Sequence, residues 1–139
     1  MFERILVPTD LTERSFKALE VALKIARHDE ATVTLLHVVE MIMDTDTEDF
    51  RDFYDKLGRR ANRLMDEAVT RFKKSPLPID KQVMFGQRVK DIVSFAHSRD
   101  IDLIILMSHK IDSADSSRGW GTISYKVSIL SHCPVMLVK

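Results

Sequence analysis

Five short stretches of this chain, Ile5–Val7, Thr32–Val39, Ile79–Phe85, Leu103–Met107 and Pro134–Val138, are dense in apolar and β-branched residues. Between each successive pair lies a segment whose apolar residues recur every three or four positions. The runs at Ile5–Val7 and Leu103–Met107 are unbroken, and an unbroken run belongs to a strand covered on both faces, because alternation would signal one wet face. The order βαβαβαβαβ then implies a parallel sheet with right-handed crossovers and helices on both sides. Ile79–Phe85 alternates only loosely, as expected of an edge strand.

The intervening segments carry their own punctuation. Thr12 suits a helix N-cap, Glu13 the positive end of the helix dipole, and Phe16, Leu19, Ala22 and Ala26 recur toward Arg27 and His28. A polar loop from Met43 to Glu48 precedes a long amphipathic helix with Phe50, Phe53, Leu57, Ala61, Leu64, Ala68 and Phe72 as its apolar set. Ser75-Pro76-Leu77-Pro78 stops it. Val89, Ile92, Val93 and Ala96 mark the third helix, and Ile123, Val127 and Leu130 the fourth. In open sheets of this kind ligands bind beyond the carboxyl ends of the strands, where the strand order reverses.

At 139 residues, 45% hydrophobic, residues 1–139 read as one domain with a single core. Lys plus Arg and Asp plus Glu both number 21, so no net field draws the chain to nucleic acid or to an anionic membrane. No apolar run approaches the roughly 20 residues that cross a bilayer. Cys133 stands alone and has no internal disulfide partner, which points to a cytoplasmic protein. Its place before Pro134 suits a buried thiol better than a nucleophile.

No catalytic constellation assembles. The Gly-x-Ser-x-Gly elbow, the GxxxxGK[ST] phosphate loop and the GxGxxG fingerprint are all missing. His28 and His132 fall near helix ends and His97 lies within the third helix, places where structural histidines are common. His37 and His109 fall near the carboxyl ends of strands, but without HExxH or CxxC partners they do not define a metal site.

Three stretches together carry a family likeness: Ile5-Leu6-Val7-Pro8-Thr9-Asp10, Leu35-Leu36-His37-Val38-Val39-Glu40, and Ile101 to Lys139 with its closing Cys133-Pro134-Val135-Met136-Leu137-Val138. In these the chain resembles the universal stress protein family over essentially its whole length. The resemblance implies an α/β, doubly wound, five-stranded parallel sheet of flavodoxin-like, adenine nucleotide alpha hydrolase-like order 3-2-1-4-5, with the switch point between strands one and four.

In ATP-binding members the fourth strand runs into Gly-x-x-Gly, nine residues, and Gly-Ser or Gly-Thr. Aligned on Leu103–Leu106, the first two glycine positions fall on Met107 and Lys110, while the last pair survives as Gly121-Thr122, one residue further on. The glycines matter because they allow positive φ and close approach of backbone amides to phosphate. Their loss leaves two readings of the loop: a solvated Ser-rich segment, or an anion site rebuilt from Lys110, Arg118, Ser113, Ser116, Ser117 and the helix start.

By resemblance Pro8, Thr9, Asp10 and Val38 surround adenine and ribose; Ser108, Lys110, Arg118, Gly121, Thr122 and Ile123 are further candidate nucleotide-binding residues, with Lys110 and Arg118 on phosphate if the loop is rebuilt. Asp10 also has a plain structural role open to it, capping the first helix with Thr12. The resemblance further implies a homodimer through Pro134, Val135, Met136, Leu137 and Val138, since an edge strand is shielded by pairing with its own copy. The expected function is therefore regulatory binding through protein partners with a degenerate nucleotide site. The alternative is an ATP or AMP sensor, with Mg for a triphosphate, capable of slow hydrolysis.

Overall fold

The computed structural model describes residues 1–42, 48–74, 77–108 and 121–139, with Gly121 and Thr122 described in backbone only. The expected loop at 43–47, the Ser75-Pro76 half of the helix stop, and His109, Lys110, Ser113, Ser116, Ser117, Arg118 and Gly119 lie outside the described residues. The strands are β1 (Arg4–Pro8), β2 (Thr32–Glu40), β3 (Ile79–Gly86), β4 (Leu103–Met107) and β5 (Val135–Val138). The helices are α1 (Phe16–Asp29), α2 (Glu48–Arg71), α3 (Arg88–Ser98) and α4 (Gly121–Leu130). A 3-10 turn, Glu13–Ser15, leads into α1. The sheet is parallel, in the order β3-β2-β1-β4-β5, with β3 and β5 at its edges.

The unbroken runs become the central strands because alternate residues are buried on opposite faces. Ile5, Val7, Val33, Leu35, Leu103 and Ile105 pack with Leu19, Ala22 and Met65 beneath α1 and α2. Leu6, Leu36, Val38, Ile104 and Leu106 pack with Ile92, Phe95, Ala96 and Val127 beneath α3 and α4. Ile5, Leu6, Val7 and Ile104 are fully buried, and each such side chain is worth about 2 kcal/mol relative to exposure.

In two helices one residue of the expected apolar face turns outward, Phe53 in α2 and Leu130 in α4. In α2 the buried residues are Tyr54, Gly58, Ala61, Met65 and Ala68, whereas Phe53 is 55% exposed. The reason is close packing: a Cβ on Gly58 would stand 2.7 Å from Phe85 Cζ on β3, so the helix turns its small residues inward. In α4 Val127 is fully buried and Ser124 lies inside with it, while Leu130 is 55% exposed. The stripe predicted from Ile123, Val127 and Leu130 is thus rotated toward Ser124.

Strand pairing also fixes where the sheet opens. β1 stays registered with β2 from Arg4 opposite Thr32 to Pro8 opposite Leu36. It is registered with β4 only at Ile5 opposite Leu103 and Leu6 opposite Ile104. Beyond those residues the two central strands diverge toward their carboxyl ends, and the expected crevice lies there.

Candidate functional site at the divergence of the central strands

The chain leaves β1 through a loop held by its own side chains. The Thr9 amide donates to the Leu36 carbonyl (2.8 Å), and the buried Thr9 hydroxyl lies 2.6 Å from Ser15 Oγ and accepts from the Leu11 amide (3.0 Å). Asp10 Oδ1 accepts from the Thr12 amide (3.0 Å) and the Thr12 hydroxyl (2.6 Å), a local turn typical of Asp. Thr12 in turn caps the 3-10 turn, its hydroxyl accepting from the Ser15 amide. Asp10 therefore does not itself cap the first helix as the sequence allowed: Thr12 caps the 3-10 turn and Ser15 stands at the N-cap of α1 without a side-chain bond, while the turn with Thr12 orients the Asp10 carboxylate at the end of β1.

His37 fixes the same loop from β2, with Nδ1 2.8 Å from the Thr9 carbonyl. A carbonyl only accepts, so Nδ1 carries the proton and Nε2 is the acceptor of the neutral ring. Burial, opposed by that hydrogen bond, pushes the imidazole below its ordinary value of 6.5. Arg88 and Asp10 act on the ring with opposite signs. His37 is thus a neutral brace for the loop.

These elements enclose a cavity of about 110 Å³. Pro8, Thr9 and Asp10 line it from β1, Leu36 and Val38 from β2, Leu106 and Met107 from β4, and Ile123 and Ser124 from α4. Ser15, Ile92 and Arg88 complete the wall. Of the residues named from the sequence, Pro8, Thr9, Asp10, Val38 and Ile123 meet here. Met107, which stands at the first lost glycine, is also part of the wall. Ser108 is buried, but it donates its amide to the Val138 carbonyl (2.8 Å) and stands outside the lining. Gly121 and Thr122 open α4. Lys110 and Arg118 lie outside the described residues.

Sequence reasoning missed Arg88, Ser15 and Ser124. Ser124 and Val127 sit three apart on one helix face, a spacing that would have paired them had a serine been allowed as an inward residue. Arg88 is placed by helix chemistry: the Asp91 carboxylate accepts from the Gln87 amide (2.7 Å), and a Cβ on Gly86 would stand 2.0 Å from Asp91 Oδ2. Only glycine at 86 leaves room for that cap, which sets the first turn of α3 and hence Arg88. Its guanidinium Nε lies 3.4 Å from Glu40 Oε2.

The site is a small, mostly apolar cleft with a carboxylate at one wall and a guanidinium at another, suited to holding a flat ring with polar edges. Cys133 lies apart before β5, and burial pushes its thiol up from its ordinary value. Among the described residues no helix is long and apolar enough to cross a membrane.

The model of the universal stress protein family matches residues 1–139. This chain belongs to that family. Universal stress protein YxiE of Bacillus subtilis is 26% identical over 149 aligned residues, which span 100% of both chains. Universal stress protein UspA from Lactobacillus plantarum shares the fold with a TM-score of 0.84 at 22% identity, over 99% of this chain and 98% of that one. A universal stress protein family protein from Arabidopsis thaliana, solved with AMP bound, has a TM-score of 0.68 at 23% identity, over 99% of this chain and 91% of its own.

Proposed function

We propose that this protein is a regulatory binding protein whose switch-point cavity takes the nucleoside part of an adenine nucleotide, with the phosphates held weakly and no turnover. The observation that carries the reading is the convergence of Pro8, Thr9, Asp10, Val38 and Ile123 on one cleft at the divergence of β1 and β4. The AMP in the related Arabidopsis structure supports the ligand class. Weak phosphate binding follows from chemistry. Met107 and Lys110 stand where the ATP-binding pattern has glycines, so close approach of backbone amides is impeded there.

In this reading the Asp10 carboxylate accepts from a ribose hydroxyl or the adenine amino group, and Val38 and Ile123 sandwich the base. Signalling passes to protein partners in the cytoplasm, and the protomer pairs with a second copy through Val135–Val138. A second reading keeps a full ATP or AMP sensor, with Mg for the triphosphate and phosphate held by Lys110 and Arg118. It is supported by Gly121 opening α4, since a helix start attracts anions. Slow ATP hydrolysis belongs to this second reading.

An NMR titration of 15N-labelled protein with adenosine tests the assignment. Saturating shifts clustered at Thr9, Asp10, Val38 and Ile123 are expected. Shifts confined to another surface would refute it.

A further inference from the structure

A second concavity, about 1040 Å³ and open along one side, runs between α3 and α4 and ends against the residues that follow β2. Its floor is apolar: Val89 and Val93 from α3, Ile123 and Leu130 from α4, and Ile42 beyond β2. Ile42 and Leu130 are 85% and 55% exposed. Its charge is one-sided. Arg88, Lys90 and Lys126 line it against a single carboxylate among the described residues, Glu40, and that carboxylate is already beside Arg88. The nearest other acid on α3, Asp91, is turned back to the Gln87 amide. In a chain whose charges balance at 21 and 21, the described residues of this groove carry a positive excess over an apolar trough.

We infer that the α3–α4 groove is a docking site for an acidic, amphipathic peptide segment of a partner protein. Charge complementarity selects the occupant: carboxylates meet Lys90 and Lys126 at the rim while leucine-like anchors cover Val93 and Leu130. A nucleic acid would satisfy the cations but leave the apolar floor wet, and a plain apolar ligand would leave the cations unused. α3 is 11 residues long, or about 16 Å at about 1.5 Å per residue, so a helical segment of similar length fits alongside it.

The test uses fluorescein-labelled twelve-residue peptides and anisotropy at low and high salt. One has Leu at helical spacing among Glu residues, the second replaces each Glu by Lys, and the third is Glu throughout. The wild type should bind the first saturably, and more weakly at high salt, with little affinity for the other two. Lys90→Glu with Lys126→Glu, both exposed positions, should weaken the first at least tenfold and transfer preference to the Lys peptide. Leu130→Asp should weaken it without transferring preference. Circular dichroism checks that each variant is folded. Absence of saturable binding, or indifference to the charge reversal, would overturn the docking site. Equal affinity for the all-Glu peptide would reduce the groove to nonspecific polyanion attraction.

Discussion

Leu11 adopts φ 68°, the left-handed region that a side-chain-bearing residue enters at a cost of about 1 kcal/mol. The surrounding bonds enforce it: its amide is held by Thr9 Oγ1, and Thr9 is held by Leu36, Ser15 and His37. That rigidity holds Asp10 at the cavity wall before any ligand arrives. Asp10→Asn keeps the turn and removes the charge, so adenosine affinity should fall about tenfold, the scale of a charge-assisted hydrogen bond, with the melting temperature nearly unchanged. Calorimetry and thermal scans read the two quantities separately.

His37 gives a pH signature at the same scale. Its folded pKa lies below 6.5, so below that pH the unfolded chain binds the proton more readily than the folded one. The stability from keeping it neutral is fully present above pH 6.5 and is lost as pH falls through the folded value. Denaturant unfolding between pH 7.5 and 5 should show wild-type stability declining faster than that of His37→Asn. Parallel slopes would remove His37 from the pH dependence. Met107→Gly should act oppositely on two readouts: it frees cavity wall and raises AMP affinity several-fold, while lowering the melting temperature, because Met107 packs against the α1 side of the core.

Elements were legible where burial is two-sided and less so where small or polar residues face inward. β1, β2 and β4 announced themselves because strands covered on both faces need no alternation. The edge position of β3 was readable from its looser pattern. On α2 Phe53 was misread, since it looks like core and is exposed, whereas Phe50, Leu57 and Phe72 pack against the core and Ala61 and Ala68 are buried in it; Gly58, which looks like a defect, lies under the Phe85 ring. Gly58→Ala gains about 1 kcal/mol of helix propensity but must displace the Phe85 ring. In a Phe85→Ala background it should be more favourable by about 1 kcal/mol than in wild type. Additive values in a denaturation cycle would deny that contact. Ser124 and Arg88 escaped for a similar reason: a buried serine reads as surface, and a helix-opening arginine reads as solvated, until the strands and caps that place them are known.

At the scale of the whole molecule the sheet leaves β5 at an edge, with Met136 37% exposed. A dimer through this strand predicts monomers for Met136→Lys in sedimentation velocity, and an unchanged mass would move the interface elsewhere. The cavity and the α3–α4 groove share Arg88 and Ile123, so a ligand in one bears on residues of the other. The resemblance named Pro8, Thr9, Asp10, Val38 and Ile123, which meet on one cavity wall, but Lys110 and Arg118 belong to a loop whose motif has been replaced, and no periodicity encodes how a replaced loop meets a ligand.

The most direct test is calorimetric titration of nucleotide-stripped protein with adenosine and, separately, with Mg-ATP. A cavity that holds the nucleoside and gains little from phosphates predicts saturable binding of both with affinities within about tenfold, or roughly 1.4 kcal/mol. Binding of Mg-ATP a hundredfold or more tighter than adenosine would contradict this and establish a working phosphate cradle.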